Sequence, residues 1–404
     1  MIAIDVTRRG IRVVRQPSGS ALPGLLWVLY FASMSLTPGA SHAHAEVTAP
    51  QSPIDVTPAL DLRAVTDLDR VTEQLADRRV VFVGEQHDRY EHHLTQLEIV
   101  RRLYQQNPDL AIGMEAFQQP FQPYLDAFIA GEMSEQEMLR NTEYYARWRF
   151  DYRLYAPLLR FAREHGVPVV ALNVPQELTR KVGREGADAL SADERAQLPA
   201  EIDRSDSAYQ KRLAEVFAAH PSGGGQSFDN FLEVQLLWDE GMAERAATYL
   251  REHPDTRMVV LAGVGHLAYG SGIPQRLARR LPVTSAIVLN GWQGVAEPGF
   301  ADYLLLPEPQ ALPPAGRLGA VLEEDDDGVR IAACQDDSPC KSAGLRKGDL
   351  IVSIGDALVD NMADLRLAMW DKNPGDKVRV GISRRRWILR PRDVEFEVEL
   401  QPMP

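Results

Sequence analysis

Two stretches far apart in the chain share one construction, in which a short apolar run ends in Gly-x-x-His. Residues 80–87 read VVFVGEQH and residues 258–266 read MVVLAGVGH, so the two histidines are His87 and His266. Short β-branched runs of this kind are typical of strands buried on both faces of a sheet. The sequence therefore predicts two buried strands, each followed at once by an imidazole.

Carboxylates stand at corresponding places along the chain. Glu85 lies two residues before His87, and a third apolar run, residues 110–115, ends on Glu115. In an open parallel sheet, ligands bind in the crevice outside the carboxyl ends of the strands. We therefore expect four side chains to meet in one crevice: Glu85, His87, Glu115 and His266. Such a set can bind a divalent metal such as Zn²⁺, Mn²⁺ or Fe²⁺; without a metal, His87 can act as a general base oriented by a carboxylate.

A further strand and a long helix are expected to form the wall of this crevice. Residues 167–173 are an apolar run that ends on a polar residue, and a helix is predicted over residues 230–253, with Asp229 as its cap. Helical residues three or four apart lie on one face. The predicted wall consists of Asn173, Gln235, Trp238 and Asp239.

Five apolar runs alternate with helical segments over most of the chain, which predicts an α/β fold, a mostly parallel sheet with helices on both faces. The strands are expected near residues 80–85, 110–115, 167–173, 258–263 and 284–290, and the helices near residues 60–78, 94–105, 116–140, 155–164, 230–253 and 273–280. The charged segment 175–227 is predicted to be a helical insertion, either a lid or a dimer arm. His92 and His93 are expected at the solvated start of a helix, outside the site.

The chain is predicted to begin with an export signal. Four arginines precede an apolar run over residues 21–36, and the small-residue site 43–45 follows. This order is typical of a secretory signal peptide, and the apolar run is too short and broken to span a membrane. We expect residues 1–45 to be removed by cleavage after Ala45 and the protein to reach a bacterial periplasm, with no transmembrane helix in the mature chain.

Composition divides the rest of the chain. Residues 307–315 are rich in proline and indicate a linker, so residues 46–306 are predicted to form one domain and residues 316–404 a second, mainly β domain with one or two helices. The net charge of −13, with no basic stripe in the sequence, argues against nucleic-acid binding. The only cysteines, Cys334 and Cys340, can form a disulfide or remain two unpaired thiols.

Residues 80–291 resemble the ChaN family of haem-binding uptake proteins, within the Tiki, TraB and erythromycin-esterase superfamily. The resemblance rests on four stretches, GEQH at 84–87, GME at 113–115, GVGH at 263–266 and QLLWDEGMA at 235–243. It implies haem or iron binding, with haem held between two subunits of a homodimer through a tyrosine. No local motif identifies that tyrosine; the candidates are Tyr144, Tyr145, Tyr152, Tyr209 and Tyr269.

Tiki relatives of this superfamily are metal-dependent proteases in which paired Gly-x-x-His motifs and a glutamate carry the site. Similarity to them implies a different function, in which a divalent metal such as Zn²⁺ or Mn²⁺ is bound. The residues that match this pattern are Glu85, His87, Glu115 and His266, with His87 and Glu115 in the catalytic roles.

Residues 316–404 resemble a bacterial PDZ domain. Residues 338–351, SPCKSAGLRKGDLI, match the turn and following strand of that family, and residues 316–320 look like the loop that receives a peptide carboxylate. The resemblance implies that a protein C terminus adds as a strand to a sheet edge while loop N–H groups bind its carboxylate. The residues expected to bind peptide are Arg317, Leu318, Gly319 and Ala320. The alternative is a PDZ fold used only for internal packing.

Three functions remain open from the sequence. The first is an exported haem- or iron-binding protein, with its ligand at the carboxyl ends of the strands or at a subunit interface, and a PDZ domain that docks a protein C terminus. The second is a metal-dependent hydrolase or peptidase. The third is an interaction scaffold with a vestigial site. The closer resemblance places the binding protein first.

Overall fold

The computed structural model describes residues 2–7, 10–15, 66–219, 227–291, 298–385 and 392–402. Near the N terminus, β1 (Ile2–Thr7) and β2 (Gly10–Arg15) pair as an antiparallel hairpin. The rest of the predicted export signal, including its cleavage site at Ala45, lies outside the described residues. No helix in the described part of the chain is long and apolar enough to cross a membrane.

The first domain is built on a six-stranded parallel sheet, which confirms the predicted fold class. In space the strands follow the order β5, β4, β6, β3, β7, β8. The connections from β3 to β4 and from β6 to β7 each pass over one strand, so the carboxyl ends of β3 and β6 lie side by side. The strands are β3 (Val80–Glu85), β4 (Leu110–Gln118), β5 (Val169–Asn173), β6 (Arg257–Gly263), β7 (Ser285–Asn290) and β8 (Tyr303–Leu305).

Twelve α-helices are described in this domain. They are α1 (Leu68–Gln74), α2 (Tyr90–Gln106), α3 (Gln122–Ile129), α4 (Glu135–Asn141), α5 (Tyr144–Arg147), α6 (Ala156–His165), α7 (Gln176–Glu185), α8 (Ala192–Arg195), α9 (Ser207–Ala219), α10 (Phe228–Glu252), α11 (Val264–Leu267) and α12 (Ile273–Arg280).

Two predicted helix boundaries are wrong. The single interrupted helix expected over residues 116–140 is instead the end of β4 followed by α3 and α4, because Ser134 and Glu137 form a capping box that starts a new helix. The helix α10 is capped by Ser227, whose side chain accepts the N–H of Asn230, and Asp229 lies inside its first turn.

Apolar side chains cover both faces of the sheet, as expected for parallel strands. On β3, Val81 and Val83 join the core shared with α1, α2 and α6, whereas Val80 and Phe82 join the opposite core shared with α10 and α12. The predicted insertion, α7 to α9, packs on α10 through Leu178, Val182, Tyr209 and Leu213. Because helices cover both faces of the sheet, the polar side chains of the predicted site lie at the carboxyl edge of the strands.

The C-terminal domain is mainly β. Its elements are β9 (Gly316–Arg317), β10 (Ala320–Asp325), β11 (Gly328–Cys334), α13 (Pro339–Ser342), β12 (Leu350–Ile354), β13 (Ala357–Leu358), α14 (Met362–Met369), β14 (Lys377–Arg384), β15 (Arg392–Glu399) and β16 (Gln401–Pro402). Strand β10 lies at the edge of the main antiparallel sheet. Of the two states left open for the cysteines, the structure has the Cys334–Cys340 disulfide.

Helix α14 of this second domain packs on the aromatic segment of the first. Leu367 is buried in the core of the first domain, and the rings of Trp370 and Tyr152 meet at 5.2 Å between centroids. Arg366 Nη1 donates a hydrogen bond to the carbonyl of Arg149 at 3.1 Å. The C-terminal domain therefore rests on the segment 144–155, whose other side faces the site described next.

Candidate functional site

The carboxyl ends of β3, β4 and β6 bring the predicted carboxylates and histidines together. Glu85 and Gly263 are directly opposite each other in the parallel register of β3 and β6. Glu115, on β4, accepts the backbone N–H of Gly263 through Oε2 at 2.7 Å. His266 follows one helical turn later, on α11. These side chains lie together, largely buried, at the carboxyl edge of the sheet, as the strand pattern predicts.

A first arm of this site runs from Tyr155 through Glu85 to His87. Glu85 Oε1 accepts the Tyr155 hydroxyl at 2.6 Å and His87 Nδ1–H at 2.8 Å, while Glu85 Oε2 accepts Gln96 Nε2–H at 2.8 Å. Burial by itself raises the pKa of Glu85, but the charge of His93 and the bonds from His87 and Tyr155 outweigh it and hold the pKa at about 2. Glu85 is therefore an ionised carboxylate that fixes the tautomer and the direction of the His87 ring.

A second arm repeats this arrangement from the other side. His266 Nδ1–H donates to Asp239 Oδ1 at 2.7 Å, and the Tyr209 hydroxyl donates to Asp239 Oδ2. His266 Nε2 lies 3.4 Å from Glu115 Oε1. Burial lowers the pKa of His266, but the charges of Glu115 and Asp239 raise it above its usual value. His266 is therefore held as a cation between two buried carboxylates.

The two arms converge on Glu115. A methyl group added at Gly263 would lie 3.1 Å from His87 Nε2 and 3.5 Å from Glu115 Oε2, so both groups border the space over Gly263. The pKa of His87 is lowered by burial, but Glu85 and Glu115 raise it above its usual value. The rings of Trp148 and Phe150 pack on the His87 ring, at 4.7 and 5.0 Å between centroids. The site is thus a basic imidazole with an aromatic wall and a buried carboxylate beside it.

Three of the four predicted wall residues, Asn173, Trp238 and Asp239, contact the site, and Gln235 does not hydrogen-bond to it. Asn173 donates its amide to the Glu115 carbonyl at 3.1 Å, and its buried Oδ1 has no hydrogen-bond partner among the described residues. Trp238 meets the His266 ring edge-on at 6.1 Å, and Asp239 belongs to the second arm. Gln235 is buried on α10 one turn before Asp239 and makes no hydrogen bond to the described residues of the site.

The expectation that His92 and His93 are solvated is wrong. Both are buried on α2. His92 Nδ1 accepts the N–H of Gln86 at 3.0 Å, and His93 Nε2–H donates to the carbonyl of His87 at 3.1 Å. Burial lowers the pKa of His92 to about 4, so it is a neutral imidazole. These histidines hold the turn that carries Glu85 and His87.

The sequence did not predict two residues that hydrogen-bond to Glu85 in the first arm, Gln96 and Tyr155. Gln96 lies on the same helical stripe as the buried Val100 and Leu103, and a glutamine in an apolar stripe is the signal that indicates it. Tyr155 carries no such signal, since it is one of several tyrosines in an aromatic segment.

As placed, the carboxylates and imidazoles are paired with one another. Glu85 has both oxygens engaged by Tyr155, His87 and Gln96. Among the described residues, no group of three or more His, Cys, Asp or Glu side chains has an arrangement that could hold a metal ion. The geometry therefore suits proton transfer at His87 better than metal coordination by the set of four, which stays a prediction.

Alanine at Gly263 is expected to alter this site with little effect on the rest of the fold. The new methyl group would lie 3.0 Å from His87 Cε1, so the imidazole must move by a few tenths of an ångström. We expect a changed His87 pKa, measured by NMR of the imidazole, and an overpacking cost of about 1–3 kcal/mol. At Gly84 the methyl group would meet Leu289 instead. If Gly84→Ala changed the His87 pKa as much as Gly263→Ala does, the close approach at Gly263 would not be the cause.

Comparisons with known proteins agree with both parts of this architecture. Residues 71–277 match the family model described as haem-binding uptake, Tiki superfamily, ChaN, and residues 316–400 match the model of the PDZ domain. The chain is similar to the protein RETICULATA-RELATED 5, chloroplastic, of Arabidopsis thaliana, at 29% identity over 55% of this chain and 32% of that protein. The chain thus spans about a third of the length of that relative.

A solved structure described as cofacial haem binding to ChaN of Campylobacter jejuni matches 60% of this chain and 92% of its own chain. The TM-score is 0.50 and the identity 16%, so this likeness concerns the fold.

Proposed function

Because the chain belongs to the ChaN family of haem-binding uptake proteins in the Tiki superfamily, we propose that it is an exported protein that binds haem or iron in a bacterial periplasm. The observation that carries this proposal is the family match over residues 71–277. The PDZ domain at residues 316–400 adds a module for docking a protein C terminus. Sequencing the N terminus of the mature protein tests the export step, and retention of residues 1–45 would count against it.

The axial ligand is best sought among accessible tyrosines, since haem iron needs a phenolate that it can reach. The four candidates Tyr144, Tyr145, Tyr152 and Tyr209 are buried, and burial raises the pKa of each phenol above its usual value. Tyr269, in the 3₁₀ turn Ala268–Gly270 after His266, is half-buried. Tyr124 on α3 is 37% exposed. We propose Tyr124 and Tyr269 as the ligand candidates.

The surface around Tyr124 fits one face of a planar apolar ligand. Phe121 stacks with Tyr124 at 6.4 Å, and the guanidinium of Arg147 lies 4.7 Å above the Phe121 ring. A cavity of about 320 Å³ opens beside them, lined by Phe121, Arg147, Pro120 and Leu178 among others. Gln118, at the end of β4, also lines it, so the cavity lies close to the strand edge that carries Glu115. The Phe121 ring could pack on the face of a haem and Arg147 could pair with its carboxylates, while Tyr124 beside them would supply the phenolate.

Substitution of the ligand tyrosine is expected to abolish the absorption band of phenolate-bound haem. Haemin is titrated into the full chain and into Tyr124→Phe and Tyr269→Phe, and we expect one of the two variants to bind at least about tenfold more weakly. Tyr104→Phe is the control, since Tyr104 packs on Phe161 and His165 on α6. Unchanged binding in both variants would exclude tyrosine ligation at this surface.

A second function, acid–base hydrolysis, is favoured by the two arms that converge on Glu115. His87 can accept a proton from water through Nε2, because Glu85 holds Nδ1–H and stabilises the imidazolium that forms. Hydrolysis of an ester or peptide that survives a chelator and is lost in His87→Ala would support this function. Loss with the chelator as well would indicate the metal-dependent enzyme that uses Glu85, His87, Glu115 and His266.

Peptide docking is supported by the loop before β10. The backbone N–H groups of Leu318 and Gly319 donate to no acceptor among the described residues, Gly319 has the positive φ of +65° that suits glycine, and Val321 on the edge strand is 46% exposed. We expect a decapeptide with a free C-terminal valine to bind more tightly than its C-terminal amide, measured by calorimetry. Equal binding, or none, would favour a PDZ fold used only for packing.

A further inference from the structure

The end of β10 and the turn that follows it carry a dense negative charge. The five consecutive residues 323–327 read EEDDD, and all of them are exposed. A run of acidic residues is usually only a solvated surface, so its place in the fold decides what it can bind. This run stands at the end of the edge strand that is opposite the proposed carboxylate-binding loop.

Helix α14 begins beside this acidic run. The backbone N–H of Met362, in the first turn of α14, donates to Glu324 Oε2 at 3.3 Å. A methyl group added at Gly328 would lie 3.2 Å from the carbonyl oxygen of Asp360, two residues before the helix. The end of β10 and the start of α14 therefore border the same end of the groove between this strand and this helix.

The side chains of β10 divide this groove into two parts. Ala320, Leu322 and Glu324 are two residues apart and so share one face of the strand. The hydrogen bond from Met362 to Glu324 shows that this face is the one next to α14. Ala320 and Leu322 are half-buried on the core of the C-terminal domain, and Met362 and Met369 of α14 pack on the same core. The groove is therefore apolar where β10 begins and acidic where it ends.

Most of the carboxylates at the acidic end have no cationic partner. Arg330 pairs with Asp325 and Asp327, at 3.1 and 3.0 Å. Arg385 also pairs with Asp327, at 2.6 Å. Five other carboxylates around this end form no ion pair with the described residues, and two of them accept only backbone N–H groups. The five are Glu323, Glu324, Asp326, Asp360 and Asp364.

The direction of a docked peptide follows from the two ends of the groove. Among the described residues β10 pairs only with β11, so its outer edge is open to a further strand. A peptide whose terminal carboxylate lies at residues 317–319 must run antiparallel to β10, towards the acidic end. Each strand residue advances by about 3.4 Å, so the residues about three to five positions before the peptide C terminus lie opposite residues 323–325.

We propose that the PDZ domain selects protein C termini that end in an apolar residue and carry lysine or arginine about three to five positions upstream. This inference rests on the proposed peptide docking and adds the charge pattern of the partner. The last side chain enters the apolar part of the groove, and the basic side chains meet the carboxylates that lack a cation. Such complementary charges favour the correct partner and speed association, and salt weakens both effects.

Decapeptides that end in valine test this charge pattern on the full chain. One carries lysine at the third, fourth and fifth positions before the valine, and the other carries glutamate there. In dilute salt we expect the lysine peptide to bind at least about tenfold more tightly, measured by calorimetry. This difference is expected to shrink in 1 M NaCl, where the Debye length is about 3 Å.

The peptide results separate this inference from the docking on which it rests. Equal binding of the two peptides, with a free C-terminal carboxylate still required, would overturn the charge preference and retain the docking. Binding of neither peptide would contradict both. If the lysine peptide bound as tightly when its C terminus was an amide, it would be adsorbed by charge alone, and the proposed selection of C termini would be wrong.

The double variant Glu323→Gln/Glu324→Gln locates the preference on the protein. Glutamine keeps an oxygen that can accept the N–H of Met362, and we expect the variant to bind the lysine peptide about tenfold more weakly. Asp393→Asn/Glu399→Gln makes the same change in net charge on β15, at the opposite edge of the sheet, and is expected to bind like the original chain. Equal weakening in both double variants would mean that net charge, rather than the acidic end of the groove, selects the peptide.

Discussion

Glu240→Ala is expected to lower the free energy of unfolding by about 3–5 kcal/mol. Glu240 is fully buried on α10 and pairs with Arg276, Arg279 and Arg280 at 3.2, 2.7 and 2.5 Å. Arg276 is itself 2% exposed, so removal of the carboxylate leaves a buried cation without its acid. Urea unfolding measured at neutral pH gives the loss directly.

Glu244→Ala is the matched control for this change. Glu244 lies one turn further along α10, has a side chain that is 46% exposed and reaches Arg280 only at 3.9 Å. An exposed pair of this kind contributes at most about 1 kcal/mol. A similar loss in both variants would show that helix propensity or net charge, rather than the buried ion pairs, accounts for the effect of Glu240→Ala.

Glu85→Gln is expected to remove about 3 kcal/mol of stability at pH 7 and to flatten the acid limb of the stability curve. A pKa lowered from 4.5 to about 2 corresponds to that free energy. Because the folded pKa lies below the unfolded one, the stabilisation is complete above pH 4.5 and is lost as the pH falls towards 2. Unfolding by urea at a series of pH values from 7 to 2 measures it.

Glu98→Gln provides the comparison for this pH dependence. Glu98 lies on the same region of α2 as Gln96, but it is 40% exposed and pairs with Arg102 at the surface. We expect its stability curve to follow that of the original chain within about 0.5 kcal/mol. An unchanged acid limb in Glu85→Gln would mean that the Tyr155–Glu85–His87 arm contributes no net stability.

The buried cation at His266 has the opposite dependence on pH. Its folded pKa is raised above the unfolded value of 6.5 by Glu115 and Asp239, so its contribution is complete below pH 6.5 and is lost as the pH rises through the folded pKa. The two arms of one site thus contribute to the pH dependence of stability in opposite directions.

The sequence predicts the framework of this site because the framework depends on local pattern. The apolar runs before Gly84 and Gly263 identify buried strands, and parallel strands bring their carboxyl ends together. Glu115 and His266 follow from the same rule. The hydrogen-bond partners of Glu85 could not be predicted from the sequence. Its bonds to Tyr155 and Gln96 join residues that lie outside the local motif.

Other features depend on tertiary contacts and so leave no local pattern. His92 and His93 look like the polar start of a helix, but the turn after β3 buries them. Strand β8 has only three residues, too few for an alternation to show. The contact of Arg366 with Arg149 joins two domains, and the left-handed turn that it stabilises cannot be inferred from an arginine between two aromatic residues.

The claim that this chain binds haem is tested by a haemin titration of the purified full chain, with divalent metal content determined by mass spectrometry on the same sample. Haem binding of the ChaN type predicts a Soret band that shifts and saturates at a defined stoichiometry, with little divalent metal present. Stoichiometric Zn²⁺ or Mn²⁺ that is lost in His87→Ala, together with no response to haemin, would contradict that claim and support a metal-dependent hydrolase.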